Sequence, residues 1–207
     1  MKRTRTSKGW MSEHTSDLFV KQAQRDGYRS RAAYKLIEIN EKYGLFKPGL
    51  VIIDLGSAPG SWSQVAIKEI GTSGKLIALD LLEMKPIKDV EFIQGDFREN
   101  TVLDEIKNKL KDLKVDLVIS DMAPNISGVK TVDQSAAIYL NELALDFSHK
   151  YLKLNGHLLV KSFMGADFDN FVKSCKPFFK KVIRIKPKSS RDRSSEIFVL
   201  CYEKINN

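Results

Sequence analysis

Cysteine is scarce in this sequence, and long apolar runs are missing from it. The two cysteines, Cys175 and Cys201, have no paired CxxC spacing and no histidine cluster beside them. This pattern argues against a disulfide scaffold and against a zinc site. No apolar run approaches the roughly 18 residues that a membrane span requires, and the basic start of the chain leads into no apolar segment of the kind that secretory signals contain. We therefore expect a cytoplasmic protein with no metal site and no membrane contact.

Acidic residues are in the minority, and the positive charge is unevenly placed. The formal net charge is +8. Residues 1–50 carry eleven Lys or Arg against five acids, and residues 180–193 carry seven against one, so each segment has a net charge of +6. Concentrated basic segments are typical of proteins that bind a polyanion, although solvated surface charge would give the same pattern. Arg29, Arg31 and Lys188 are candidates for contacts with phosphate groups.

Apolar runs alternate with helical segments from residue 30 onward. The pattern predicts strands at 50–55, 75–80, 90–94, 115–120, 157–163, 181–186 and 196–202. It predicts helices at 30–43, 61–70, 101–113, 133–153 and 167–176. Crossovers between the first five strands indicate a parallel, doubly wound sheet, and the short gap between the last two strands makes one of them antiparallel. We expect an irregular basic arm over residues 1–29 and a single α/β domain over residues 30–207.

A glycine loop, DLGSAPGSW at residues 54–62, follows the first predicted strand and precedes a helix. It lacks the GxGxxG spacing of dinucleotide-binding proteins, and Pro59 removes one N–H donor, so a ligand without a pyrophosphate is favoured. Asp80 ends the second strand, where a carboxylate can accept hydrogen bonds from ribose hydroxyls. Asp96 follows the third strand and could accept from the amine of adenine. Adenine and ribose without a pyrophosphate indicate S-adenosylmethionine.

Two alternatives stay open at this loop. Asp80 and Asp96 could only cap the turns that follow their strands, and Trp62 could pack in the core rather than contact a ligand. A cationic sulfonium would be stabilised by acidic residues such as Asp54 and Asp121. With the loop in this position, we favour ligand binding for Asp80 and Asp96.

Four charged residues lie in or beside predicted buried elements. Asp121 ends VDLVIS, Lys161 lies in GHLLVKSF, Glu196 opens EIFVLCY, and Lys35 lies on the first helix. A buried charge costs free energy unless it is paired, and several of them together point to a functional site. A lysine whose pKa is lowered by burial or by another cation can act as a base toward a weakly acidic hydroxyl. Taken alone, Lys35 is better explained as a solvated helix residue.

The combination of DLGSAPGSW, DMAPN, LVKSF and SSEIF with SRAAYKL resembles the FtsJ/RrmJ family of ribose 2′-O-methyltransferases, from about residue 20 to about residue 203. The resemblance implies a Rossmann-like, S-adenosylmethionine-dependent fold with a seven-stranded, mostly parallel sheet and one antiparallel strand. It implies a catalytic tetrad of Lys35, Asp121, Lys161 and Glu196. It also implies cofactor contacts at Gly60, Trp62, Asp80, Asp96 and Asp121.

The activity that the resemblance implies is methyl transfer to a ribose 2′-hydroxyl of large-subunit (23S) rRNA, on a uridine. The chain length is similar to that of bacterial members that act on rRNA, and we expect a monomer that meets its substrate within the large ribosomal subunit. Two alternatives remain, a methyltransferase of tRNA and a non-catalytic RNA-binding factor for ribosome assembly. An NAD-dependent oxidoreductase is disfavoured by the missing GxGxxG spacing.

Overall fold

The computed structural model describes residues 17–191 and 194–205, so the first sixteen residues of the predicted arm and Arg193 lie outside the described part. Within it the strands are β1 (Val51–Leu55), β2 (Lys75–Asp80), β3 (Val90–Gln94), β4 (Val115–Ser120), β5 (Leu152–Phe163), β6 (Phe179–Ile185) and β7 (Glu196–Lys204). The helices are α1 (Leu18–Arg25), α2 (Ala32–Tyr43), α3 (Ser61–Ile70), α4 (Asn100–Leu110), α5 (Lys130–Tyr151) and α6 (Phe168–Cys175).

One seven-stranded sheet runs through the protein in the order β3-β2-β1-β4-β5-β7-β6. The first five strands pair in parallel with their neighbours. The last strand, β7, runs antiparallel to both β5 and β6, so it alone is reversed in this sheet. The predicted α/β class and the mostly parallel sheet with one antiparallel strand are confirmed.

The structure departs most from the predicted elements at two places. Strand β5 begins at Leu152 rather than at residue 157, because its pairing with β4 shifts register between Val115 and Leu117. Helix α1 lies where the sequence indicated only irregular chain, and that part of the prediction is wrong. The helix has eight residues and buries only Val20 and Ala23, which is too short an apolar pattern to indicate a helix. The division of the chain at residue 29 stays a prediction.

Apolar side chains cover both faces of the sheet. Helices α2 and α3 pack on one face, against strand residues that include Ile52, Leu117 and Phe198. Helices α4, α5 and α6 pack on the other, against residues that include Ile53 and Val118. Because both faces are covered, the central strands read as continuous apolar runs, which is why the sequence predicts them well.

Phe198 provides a test of this packing. Its ring is fully buried and lies 5.7 Å from the ring of Trp62, measured between centroids. We expect Phe198→Ala to lower the free energy of unfolding by about 3–5 kcal/mol, because the truncation leaves a cavity that the neighbours fill only in part. Urea denaturation measures this value.

Leu113→Ala is the control for that experiment. This leucine is half exposed, and its loss should change the free energy of unfolding by no more than about 0.5 kcal/mol. A similar small effect for Phe198→Ala would contradict the described core.

Candidate active site

The predicted site residues gather at the carboxyl ends of the central parallel strands. Strands β1 and β4 are neighbours there, and the chain winds away from β1 to one side and from β4 to the other. Such a switch point leaves a crevice outside the strand ends, where doubly wound proteins bind their ligands. The glycine loop leaves β1 at this point, and Asp121 directly follows β4.

A cavity of about 350 Å³ opens on one side of the crevice. Its lining contains three of the predicted cofactor residues, Asp80, Asp96 and Asp121, together with Gly56 and Met122. The loop lies close to Met122 at Gly56. A Cβ atom added at this glycine would lie only 2.4 Å from the Cγ atom of Met122. Glycine is also favoured at this position by its φ of +74°.

The carboxylates of Asp80 and Asp96 both organise turns and face this cavity. Asp80 accepts hydrogen bonds from the backbone N–H groups of Ala58 and Leu82, each at 2.8 Å. Asp96 accepts from Nε of Arg98 at 2.9 Å, and the hydrogen bonds from Arg98 lower the pKa of that carboxyl in spite of its partial burial. Each carboxylate oxygen can accept more than one hydrogen bond. The turn-capping and ligand-binding interpretations are therefore compatible.

Gly60 and Trp62 lie at the start of α3 rather than in the lining of the 350 Å³ cavity. Gly60 is the residue before the helix, with a φ of 109°. The indole of Trp62 is buried, and its Nε1 donates to the carbonyl oxygen of Ala32 at 3.0 Å. The side chain therefore packs in the core, and Trp62 borders only a narrow cleft beside Ser57 and Asp121. What this helix start can offer a ligand is the backbone N–H groups of its first turn, which have no partner within the helix.

Asp54 is a buried acid whose state the sequence did not reveal. It is fully buried at the end of β1, and its Oδ2 accepts a hydrogen bond from the hydroxyl of Ser63 at 2.6 Å. Its Oδ1 has no hydrogen-bond partner among the described residues. Burial, together with the nearby charges of Asp121 and Asp80, raises the pKa of Asp54 to about 7, although the hydrogen bond from Ser63 lowers it.

The four charged residues form two ion pairs, and Asp121 of one pair lines the cavity. Nζ of Lys161 lies 2.9 Å from Oδ1 of Asp121 and donates to the backbone oxygen of the same residue at 2.5 Å. Nζ of Lys35 donates to Oε2 of Glu196 at 2.7 Å. The structure therefore brings the predicted tetrad together, including Lys35, which the sequence alone would have assigned to solvent.

Strand register explains how the two pairs meet. In the antiparallel pair of β5 and β7, Lys161 lies opposite Phe198 and Phe163 lies opposite Glu196. Side chains two residues apart on a strand share a face, so Lys161 and Glu196 project from the same face as diagonal neighbours. Helix α2, packed on this face, supplies Lys35.

The charge of Glu196 is stabilised from several directions. Burial raises the pKa of this carboxyl, but the charge and hydrogen bond of Lys35, the charge of Lys161 and a hydrogen bond from Ser190 together lower it below its usual value. The Ser190 hydroxyl lies 3.0 Å from Oε1. Glu196 is therefore held as a carboxylate between two ammonium groups.

A second space, of about 260 Å³, opens beside the Lys35–Glu196 pair. Its lining is polar and mostly cationic, with Arg31, Lys35, Arg191, Ser194 and Glu196. This chemistry suits a phosphate-bearing molecule better than it suits an apolar one.

The predicted phosphate contacts have different surroundings. The side chain of Lys188 is exposed. Arg31 pairs with Asp17 and donates to the carbonyl oxygen of Ser189. Arg29 donates to three backbone carbonyl oxygens. Both arginines therefore have a structural role that the sequence did not indicate.

Metal-binding groups and membrane-spanning helices are both missing from the described residues. No group of three or more His, Cys, Asp or Glu side chains in this part of the chain could hold a metal ion. No helix in the same part is long and apolar enough to cross a membrane.

The sequence model of the FtsJ-like methyltransferases matches residues 28–204. The ribosomal RNA large subunit methyltransferase E of Methylobacillus flagellatus is 58% identical to this chain over 206 residues. The alignment covers 100% of each chain. The protein of the same name from Nitrosospira multiformis is 56% identical over 200 residues, which are 97% of each chain. A crystal structure named for a ribosomal RNA methyltransferase of Plasmodium falciparum has a TM-score of 0.78 at 34% identity, covering 87% of this chain and 100% of that one.

Ionisation of Asp54 should be visible in stability. Its pKa of about 7 in the folded protein exceeds that of an unfolded chain, so the folded protein keeps a proton that the unfolded chain releases between about pH 4 and pH 7. The free energy of unfolding of the wild type should fall over this range relative to Asp54→Asn, by at most about 1.4 kcal/mol per pH unit. Urea unfolding of both proteins across the range measures the difference. Parallel pH profiles would contradict a buried, protonated acid.

Proposed function

The chain belongs to the FtsJ-like methyltransferase family, and from this premise we propose that it transfers a methyl group from S-adenosylmethionine to a ribose 2′-hydroxyl of large-subunit rRNA, on a uridine. The observation that carries the proposal is the tetrad of two ion pairs, in which Asp121 also lines a nucleoside-sized cavity at the carboxyl ends of the central strands. The names of the similar proteins support large-subunit rRNA as the substrate. We further propose that the protein acts in the cytoplasm as a monomer, through one catalytic domain preceded by a basic arm.

The residues of the cavity fit S-adenosylmethionine. Asp80 lies where a carboxylate can accept from ribose hydroxyls, and Asp96 offers acceptor oxygens for an adenine amine. The carboxylates of Asp80, Asp96 and Asp121 line the cavity and give this half of the site an acidic character that favours a cationic ligand. Backbone N–H groups at Gly60 and Trp62 would meet the carboxylate of the methionine moiety. When bound, the cofactor supplies a methyl group attached to a positively charged sulfur.

The tetrad is suited to hold and activate a hydroxyl group. Methyl transfer is an in-line displacement, so much of its rate depends on alignment of the two reactants. The hydroxyl is a weak acid whose proton must be removed as the new bond forms. We assign Lys161 to orient the hydroxyl or, as the neutral amine, to take its proton. Lys35 and Glu196 position the ribose, and Asp121 holds Lys161 while it faces the cofactor cavity.

The cationic space beside Lys35 is the place where we expect the RNA backbone to enter. Arg31 and Arg191 line this space, and Lys188, three positions before Arg191 in the chain, is exposed. The intact tetrad argues against a non-catalytic assembly factor, because RNA binding alone requires no paired lysines and acids in a buried position. The assignment to rRNA rather than tRNA depends on the similar proteins.

Lys161→Ala should abolish methyl transfer while cofactor and RNA affinities stay nearly unchanged. The role proposed for Lys161 lies in the transition state, so its loss should lower the turnover rate rather than the ground-state affinity. We expect a rate loss of at least about 100-fold in single-turnover methylation at saturating cofactor and RNA. Lys35→Ala and Glu196→Ala should lose less, and the combined variant little more than Lys161→Ala alone.

Lys88→Ala is the matched control, since Lys88 is exposed and lies outside the tetrad and both basic segments. It should methylate at the wild-type rate. If Lys161→Ala retained more than about a tenth of the wild-type rate, well above the loss expected for a proton-transfer group, the assignment of the catalytic centre would be wrong.

Asp80→Asn tests the cofactor site. Replacing a charged acceptor should cost about 1.5–3 kcal/mol of binding free energy, which is about a tenfold weaker affinity or more. Calorimetric titration with S-adenosylmethionine measures it, and Glu83→Gln, an exposed acid on the following loop, should bind normally. Wild-type affinity in Asp80→Asn, or tight binding of NAD by the unmodified protein, would count against the proposed cofactor.

A further inference from the structure

Arg29 connects two segments that border the cofactor side of the site. Its Nη1 donates to the carbonyl oxygens of Pro59 at 2.8 Å and Lys85 at 2.7 Å. Its Nη2 donates to the carbonyl oxygen of Pro86 at 2.9 Å. Pro59 belongs to the glycine loop, and residues 85 and 86 belong to the connection between β2 and β3. One guanidinium therefore joins the glycine loop to that connection.

The guanidinium of Arg29 lies close to the backbone of Gly60. A Cβ atom added at Gly60 would lie 2.7 Å from Nη1 of Arg29 and 2.8 Å from Cδ1 of Ile87. The arginine backbone is fixed as well, because its N–H donates to Oε1 of Gln64 at 2.9 Å. Nε2 of Gln64 donates in turn to the carbonyl oxygen of Gly27 at 3.0 Å. These contacts leave the guanidinium in one position relative to the loop.

The residues that follow Arg29 continue this connection toward the tetrad. We call residues 27–35 the bridging segment. The hydroxyls of Ser30 and Ser61 lie 2.7 Å apart, and Trp62 donates to the carbonyl oxygen of Ala32. At its far end Lys35 reaches Glu196. The bridging segment thus contacts the glycine loop at one end and the acceptor side at the other.

We propose that Arg29 is a positioning residue that fixes the glycine loop against the β2–β3 connection and, through the bridging segment, aligns the methyl donor with the tetrad. This inference rests on the proposed function. Three of the five N–H donors of the guanidinium already point at carbonyl oxygens, so Arg29 acts on the protein itself rather than mainly on RNA phosphate. A lysine cannot replace it, because a single ammonium lacks the planar fork that spans separate acceptors.

The test compares Arg29→Ala and Arg29→Lys with the wild type. We expect S-adenosylmethionine to bind about tenfold more weakly or worse in both variants, since hydrogen bonds from a charged donor are lost. Single-turnover methylation at saturating cofactor and RNA should also slow by about tenfold or more, because alignment is disturbed. The slope of log RNA affinity against log salt should match that of the wild type. Lys173→Ala, a change at an exposed lysine on α6 that lies outside both basic segments, is the control and should alter none of these values.

Hydrogen exchange of the loop amides gives a second measurement that needs no ligand. In Arg29→Ala the amides of residues 56–60 and 82–88, apart from Pro59 and Pro86, should exchange faster, while those of β4 and β5 keep the wild-type rates. This pattern also separates a local effect from a failure to fold.

Two results would overturn the inference. If cofactor affinity is unchanged while the salt slope falls by about 0.7–0.9, Arg29 is a phosphate contact. If loop exchange and cofactor affinity both match the wild type, Arg29 does not position the loop. A wild-type protein that neither binds S-adenosylmethionine nor methylates RNA would instead refute the proposed function, and the exchange rates would still decide the role of Arg29.

Discussion

The site depends on the pairing of charges that the fold removes from water. Lys161 and Glu196 are each less than 10% exposed, and an unpaired charge at such a position would be strongly destabilising. Each therefore needs a partner from another element, and the Lys35–Glu196 pair joins residues 161 positions apart in the chain. The tetrad can form only when α2, β5 and β7 are docked together. The geometry of the reacting groups is thus a direct consequence of the completed fold.

Most of the fold could be predicted because burial leaves a clear pattern in the sequence. The central strands are covered on both faces and appear as apolar runs, and the charged residues stand out because they interrupt those runs. The start of β5 was missed because a register shift against β4 carries no periodic signal. Helix α1 was missed because it buries only Val20 and Ala23.

The roles that the sequence could not predict depend on hydrogen bonds to backbone carbonyl groups and on how completely a side chain is buried. The sequence indicates only that Arg29 belongs to a basic segment. Its partners are the backbone carbonyl oxygens of Pro59, Lys85 and Pro86. Because every residue has a carbonyl oxygen, no sequence pattern marks these three as acceptors. The raised pKa of Asp54 follows from complete burial beside other acids, which only the folded structure brings together. Lys35 could be linked to Glu196 through the resemblance to the FtsJ/RrmJ family, but not through the positions of the two residues in the sequence.

The distribution of charge divides the site into two halves. Asp80, Asp96 and Asp121 make the cavity side acidic, whereas Arg31, Lys35 and Arg191 make the opposite opening basic. The proposed reaction brings a cationic donor to the first half and an anionic RNA to the second, so each half is complementary to its own ligand. Between them the two lysines and two acids of the tetrad sum to zero formal charge. The tetrad can therefore hold a neutral hydroxyl without attracting the cationic donor into the basic half or the anionic RNA into the acidic half.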